Sequence, residues 1–128
     1  MATRLQLTKS FTIEEFDCND GTQVPCEFID NVTKVAENLQ ELRDSLGESV
    51  MITGSGYRTK EHNDSVGGAK ESQHLKANGA DINAKSKTPK QLAAVIENLI
   101  KAGKMEQGGI GIYPGFVHYD RRGTKARW

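Results

Sequence analysis

Nothing in this chain of 128 residues approaches the roughly 20 consecutive apolar residues that cross a bilayer, so no membrane partner is expected. Residues 1–11 hold one arginine and one lysine but lack the apolar stretch of a secretory signal. Synthesis in the cytoplasm is therefore expected, with any action elsewhere depending on release or delivery. The chain also lacks a charge excess: 17 Lys and Arg balance 17 Asp and Glu. A general nucleic-acid binder would need a basic surplus to displace counterions, so no nucleic-acid partner is expected. Arg121, Arg122, Lys125 and Arg127 do form a local basic run, which reads equally well as a patch or as a solvated tail.

There are only two cysteines, Cys18 and Cys26. They suit a short-loop disulfide or two free thiols, and a cytoplasmic origin favours the thiols. A separate metal site built on them is disfavoured, because no histidine lies near them in sequence. Internal repeats, low-complexity segments and long linkers are absent too, and the size suits one domain over residues 1–128.

What is present is periodic. Phe28, Ile29, Val32, Val35, Ala36, Leu39, Leu42 and Leu46 recur at helical spacing, and Gly47 supplies a C-terminal stop. Residues 50–53 read as a short buried strand, 54–58 as a turn and 59–64 as a brief helix. Residues 65–79 are polar and glycine-bearing, hence an ordered loop. A strand is expected at 80–83. Thr88-Pro89 then starts a second main helix, whose apolar face is Leu92, Val95, Ile96, Leu99 and Ile100, and Gly103 ends it. Two further strands, 109–113 and 116–120, flank the turn pair Pro114-Gly115. The sum is an α+β domain with a short antiparallel sheet packed with two main helices.

The chain has three histidines, His62, His74 and His118. A catalytic zinc site takes three protein ligands and keeps a fourth position open. His74 and Asp81 flank a loop containing Asn78 and Gly79, which lets both side chains face one point. His118 lies on the last long strand, and strand alternation turns Asp120 to the same side. That makes Asp120 a candidate base for a water activated by the ion. On spacing alone other roles stay open: Asp81 as a strand-end carboxylate on backbone amides, and Asp120 as a partner of Arg121 or Arg122.

Larger motifs surround these residues. Thr53-Gly54-Ser55-Gly56-Tyr57-Arg58-Thr59, His62-Asn63, Val66-Gly67-Gly68-Ala69, Ser72-Gln73-His74-Leu75 and Ala80-Asp81-Ile82 follow in order. Gly108-Gly109-Ile110-Gly111-Ile112-Tyr113-Pro114, Phe116-Val117-His118-Tyr119-Asp120 and Arg127-Trp128 complete the series. Together they resemble the M15 family of zinc peptidases, in particular the short D-alanyl-D-alanine carboxypeptidase-like forms of phages and bacteria. The resemblance runs from about Phe11 to Trp128.

It implies the small α+β fold shared with hedgehog-type proteins. It also implies one Zn²⁺ held by His74, Asp81 and His118, and a peptidoglycan peptide as substrate. Arg58 falls on the family's active-site arginine, which holds a substrate carboxylate or polarises its carbonyl. Many members carry an acidic base three residues before the distal histidine, where this chain has Gly115, so the base passes to Asp120. His62, one helical turn after Arg58, is placed as a further catalytic group or as a packing residue. Ser72 and Gln73 are placed to fix the loop or the imidazole tautomer, and Ser72 to meet substrate. Tyr57, Tyr113 and Trp128 either shape the cleft or join the core. The run Lys76-Ala77-Asn78-Gly79 departs from the family's Lys-Gly-x-Ala. A monomer is expected, reaching the cell wall after phage lysis or as part of a virion. Two other classes remain beside it: a zinc-binding wall-recognition module without turnover, and a structural domain without metal.

Overall fold

The computed structural model describes residues 5–54 and 56–128. Ser55, within the turn expected at 54–58, lies outside the described residues, as does the start of the 1–11 segment. The first main helix, α1 (Ile29–Leu46), follows a 3₁₀ turn at Cys26–Phe28 and stops where Gly47 takes φ +69°. Then come β1 (Val50–Ile52), the short α2 (Lys60–Ser65), β2 (Gly79–Ala84) and α3 (Pro89–Lys101). The chain closes with β3 (Gly109–Ile112), β4 (Val117–Asp120) and β5 (Ala126–Arg127).

Capping chemistry explains two of these boundaries. The Thr59 hydroxyl accepts from the His62 amide at the head of α2. Thr88 and Gln91 form a reciprocal capping box on α3, with Pro89 in the first turn where its missing N–H is not needed.

The five strands form one sheet in the order β1-β2-β4-β3-β5. Its first three pairings are antiparallel, as expected, but β5 runs parallel to β3 and makes the sheet mixed. The expectation of a wholly antiparallel sheet is corrected there. The basic run is no solvated tail: Arg121 reaches Glu106, Arg122 reaches Asp120, and Arg127 is pinned by Glu97 at 2.8 Å. The last of these clasps hold β5 beside β3.

One face of the sheet packs on the helices. Val35, Leu39 and Leu42 of α1 and Leu92 and Ile96 of α3 are buried with Ile82, Ile110, Val117 and Tyr119. Burying each such side chain stabilises the fold by about 1.5–3 kcal/mol. Asn38 is the polar exception on α1. Its amide oxygen accepts from the Glu106 backbone N–H and the Tyr119 hydroxyl, so no buried group is left unpaired there. With Val117 and Tyr119 turned into the core, His118 and Asp120 must face the other way.

Candidate metal centre

The strand register assembles the centre. Asp81 on β2 and Gly111 on β3 are both direct partners of His118 on β4. Residues opposite one another share a face, so three strands deliver one carboxylate, one imidazole and one bare glycine to a single spot. His74 arrives from a 3₁₀ turn, Gln73–Lys76, inside the stretch expected as a loop. That turn is capped by Ser72, whose hydroxyl accepts from the His74 amide at 3.2 Å. It ends at Ala77, which sits at φ +54° in the left-handed region. A left-handed alanine costs roughly 1–2 kcal/mol. Burial of its methyl returns about 0.8 kcal/mol of that.

Hydrogen bonds fix which ring nitrogens point inward. His74 Nδ1 lies 2.9 Å from the Gly56 carbonyl, which can only accept, so Nδ1 carries the proton. His118 Nε2 lies 2.6 Å from Asp120 Oδ2, and by the same logic it is the protonated nitrogen. The lone pairs of His74 Nε2 and His118 Nδ1 therefore face each other at 3.3 Å. Asp81 Oδ1 stands 3.2 Å from the first and 3.1 Å from the second. Three acceptors converging on one point repel unless a cation lies among them. Bonds of about 2.0–2.1 Å to one ion at tetrahedral angles would set donors roughly 3.3 Å apart, so the triangle fits zinc.

Each carboxylate has an arginine behind it. Arg58 contacts Asp81 Oδ2 at 3.4 Å while its other amino group donates to buried Asn63 at 3.2 Å. Arg122 grips Asp120 with two donors, Nε to Oδ1 at 2.9 Å and Nη2 to Oδ2 at 2.7 Å. Burial alone would raise the pKa of Asp81, but His118 and His74 outweigh it and hold the group well below the usual range. Asp120 is lowered too: burial opposes ionisation, and His118, Arg122 and the Gly109 amide overcome it. For His118 burial pushes down while Asp120 and Asp81 push up, and the net direction is upward. The site thus favours positive charge at this point, whether a proton or a metal ion.

Asp120, the expected base, is placed behind His118 rather than in the triangle. It is 0% exposed, and both of its oxygens already accept hydrogen bonds from His118, Arg122 and Gly109. Its contact is with the outer nitrogen of His118, away from the triangle. His62 is likewise not among the residues lining the cleft. It sits instead with Cys18 and Asp20.

The triangle opens into a cleft of about 520 Å³, enough for a small peptide. Arg58, Ser72, Tyr113 and Trp128 all line it, as does Glu71, which sequence reading passed over. Trp128 lies 5.3 Å from the His118 ring, carries Arg122 at 5.4 Å and donates to the Tyr113 hydroxyl at 2.7 Å. Tyr113 stacks on Phe116 at 4.6 Å. Tyr57 packs against the core rather than lining this cleft.

Asn63 was also missed. Asparagine inside a short helix carries no signal by itself, although its place beside His62 in the ordered motifs was visible. A family model described as Peptidase M15 matches residues 9–120. No curated protein matches the chain.

Proposed function

The chain belongs to the peptidase M15 family, and from that premise we propose that it is a zinc-dependent peptidase hydrolysing a peptide bond in peptidoglycan stem peptides or cross-links. The observation that carries this reading is the triangle of His74 Nε2, Asp81 Oδ1 and His118 Nδ1 at the floor of an open cleft. Bound there, the ion would supply Lewis acidity, polarising a substrate carbonyl and acidifying a water near neutral pH.

The protein's own groups do the rest. Asp120 keeps the His118 proton on Nε2, and the Gly56 carbonyl keeps the His74 proton on Nδ1. Arg58 and Arg122 present guanidinium edges to the cleft and suit a substrate carboxylate or carbonyl oxygen. Ser72 and Tyr113 add hydroxyls, and the Tyr113, Phe116 and Trp128 rings form an apolar wall. Asp81 is committed to the triangle, so we assign the base to Glu71, the other carboxylate lining the cleft. Among the described residues no helix is long and apolar enough to cross a membrane. Access to the wall would follow release during phage lysis or delivery on a virion.

Digestion of purified peptidoglycan, with fragments identified by mass, tests this. New peptide termini that vanish with chelator and return with zinc are expected. Gly115, where many relatives carry an acid, favours a second reading: a wall-recognition module without turnover. Zinc binding and wall binding with no released fragment would establish it instead.

A further inference from the structure

We propose that Cys18, Asp20 and His62 form a second cation site, which takes a borderline divalent ion such as Zn²⁺. These residues come from two segments far apart in sequence. One ligand atom from each lies within 4.8 Å of the others. Cys18 is buried, His62 half-buried and Asp20 exposed, so the thiol forms the floor and the carboxylate the mouth.

The surroundings hold the donors in place. Residues 18–22 form a tight loop in which the Cys18 amide bonds to the Thr22 carbonyl and the Gly21 amide to the Cys18 carbonyl. Asp20 Oδ1 accepts from the Thr22 amide at 2.9 Å, and Oδ2 from the Thr59 hydroxyl at 2.7 Å. The Thr22 hydroxyl and the Cys18 thiol bond to Asp20 as well, so a metal would take the place of the thiol proton between sulfur and carboxylate. The same Thr59 hydroxyl accepts from the His62 amide at 3.1 Å. One side chain thereby sets both the carboxylate and the helix that carries the imidazole. Such outer partners are what metal sites use to orient their ligands.

Thiolate, imidazole and carboxylate together suit zinc and exclude the all-oxygen preference of calcium and magnesium. Binding would form a metal–sulfur bond as the thiol proton leaves to solvent. The ion would staple the 18–22 loop to α2. That helix carries Asn63, which holds Arg58 at the edge of the main cleft. The site would brace the cleft from behind without touching substrate.

Metal-free protein, dialysed against zinc and measured by elemental analysis, should hold two ions per chain. His74→Ala should hold one, and so should Cys18→Ser or His62→Gln. Cobalt loaded into the His74→Ala protein should show thiolate-to-cobalt charge-transfer absorption. The band should survive Cys26→Ser and vanish with Cys18→Ser, or, should that variant not fold, with His62→Gln. A wild type with one ion that Cys18→Ser retains overturns the proposal, as does a cobalt band that is absent or that depends on Cys26. Loss of the ion from the His74 site alone would sink the peptidase reading and leave this one standing.

Discussion

Asp120 Oδ2 sits 2.6 Å from His118 Nε2, on the side of the ring opposite His74 and Asp81. We propose from this relationship that Asp120 is a positioning residue, which fixes a tautomer and leaves the other nitrogen bare.

Removing that hold should therefore change metal binding before it changes chemistry. Asp120→Ala should weaken zinc binding at the His74 site about 10–100-fold, measured by chelator competition. Asp120→Asn, which keeps an acceptor, should lose less. If Asp120→Asn instead kept full zinc affinity while turnover collapsed, Asp120 would be the base after all.

Glu71 is the converse case. Glu71→Gln should lower turnover of peptidoglycan peptides by roughly 10²–10⁴-fold, the range for loss of a general base. Zinc content should not change, since Glu71 is outside the triangle. Unchanged turnover would place the base elsewhere.

Gly111 is opposite His118 and lies under the indole of Trp128. A Cβ added there would stand 2.4 Å from Trp128 Nε1 and 2.5 Å from Cε2. The indole is half exposed, so it should swing outward rather than strain the sheet. Gly111→Ala should lower stability by about 1 kcal/mol, toward the mild end of overpacking. Trp128 is the single tryptophan, so its fluorescence should shift toward that of a solvated indole. An unchanged spectrum would show that the ring does not pack as described.

The Glu97–Arg127 pair gives a pH dependence. The Arg127 hydrogen bond holds the Glu97 pKa below its ordinary value of about 4.5, against a smaller effect of burial. A depressed carboxylate stabilises the fold above its unfolded pKa, and that contribution fades as pH falls through the folded value. Glu97 is more than a third exposed, so solvent screening keeps the effect below about 1 kcal/mol. Wild type and Glu97→Gln should thus differ in melting temperature at pH 7 and converge below pH 4. A gap that widens on acidification would contradict the pairing.

Much of this was legible in residue order. The spacing of Val32 to Leu42 and of Leu92 to Leu99 marks both main helices, because burial against one sheet face enforces the period. Alternation on β4 turns His118 and Asp120 to one side, as observed. Strand parity fixes a side but not a reach, so it could not tell the inner nitrogen of His118 from the outer one. His62 escaped for a sharper reason. Placing it one turn after Arg58 presumes that both lie on a helix, yet α2 begins at Lys60 with Thr59 as its cap. Arg58 is ahead of the helix, its amide bonded to the His74 carbonyl, so helical spacing does not apply to the pair. The parallel β5 depends on clasps from Glu97 and Gln107, distant partners that no local pattern announces.

The two imidazoles differ in what secures them. His74 leans on the carbonyl of Gly56, an atom every amino acid supplies at that position. His118 leans on a side chain that single-residue change can delete. Mutational fragility is therefore lopsided: a substitution at the support of one imidazole leaves the supporting atom in place, and at the support of the other it removes that atom. A variant library scored for retained metal would map that asymmetry onto Asp120 and Arg122, leaving the identity of the residue at 56 to be judged only by its crowding against Phe16.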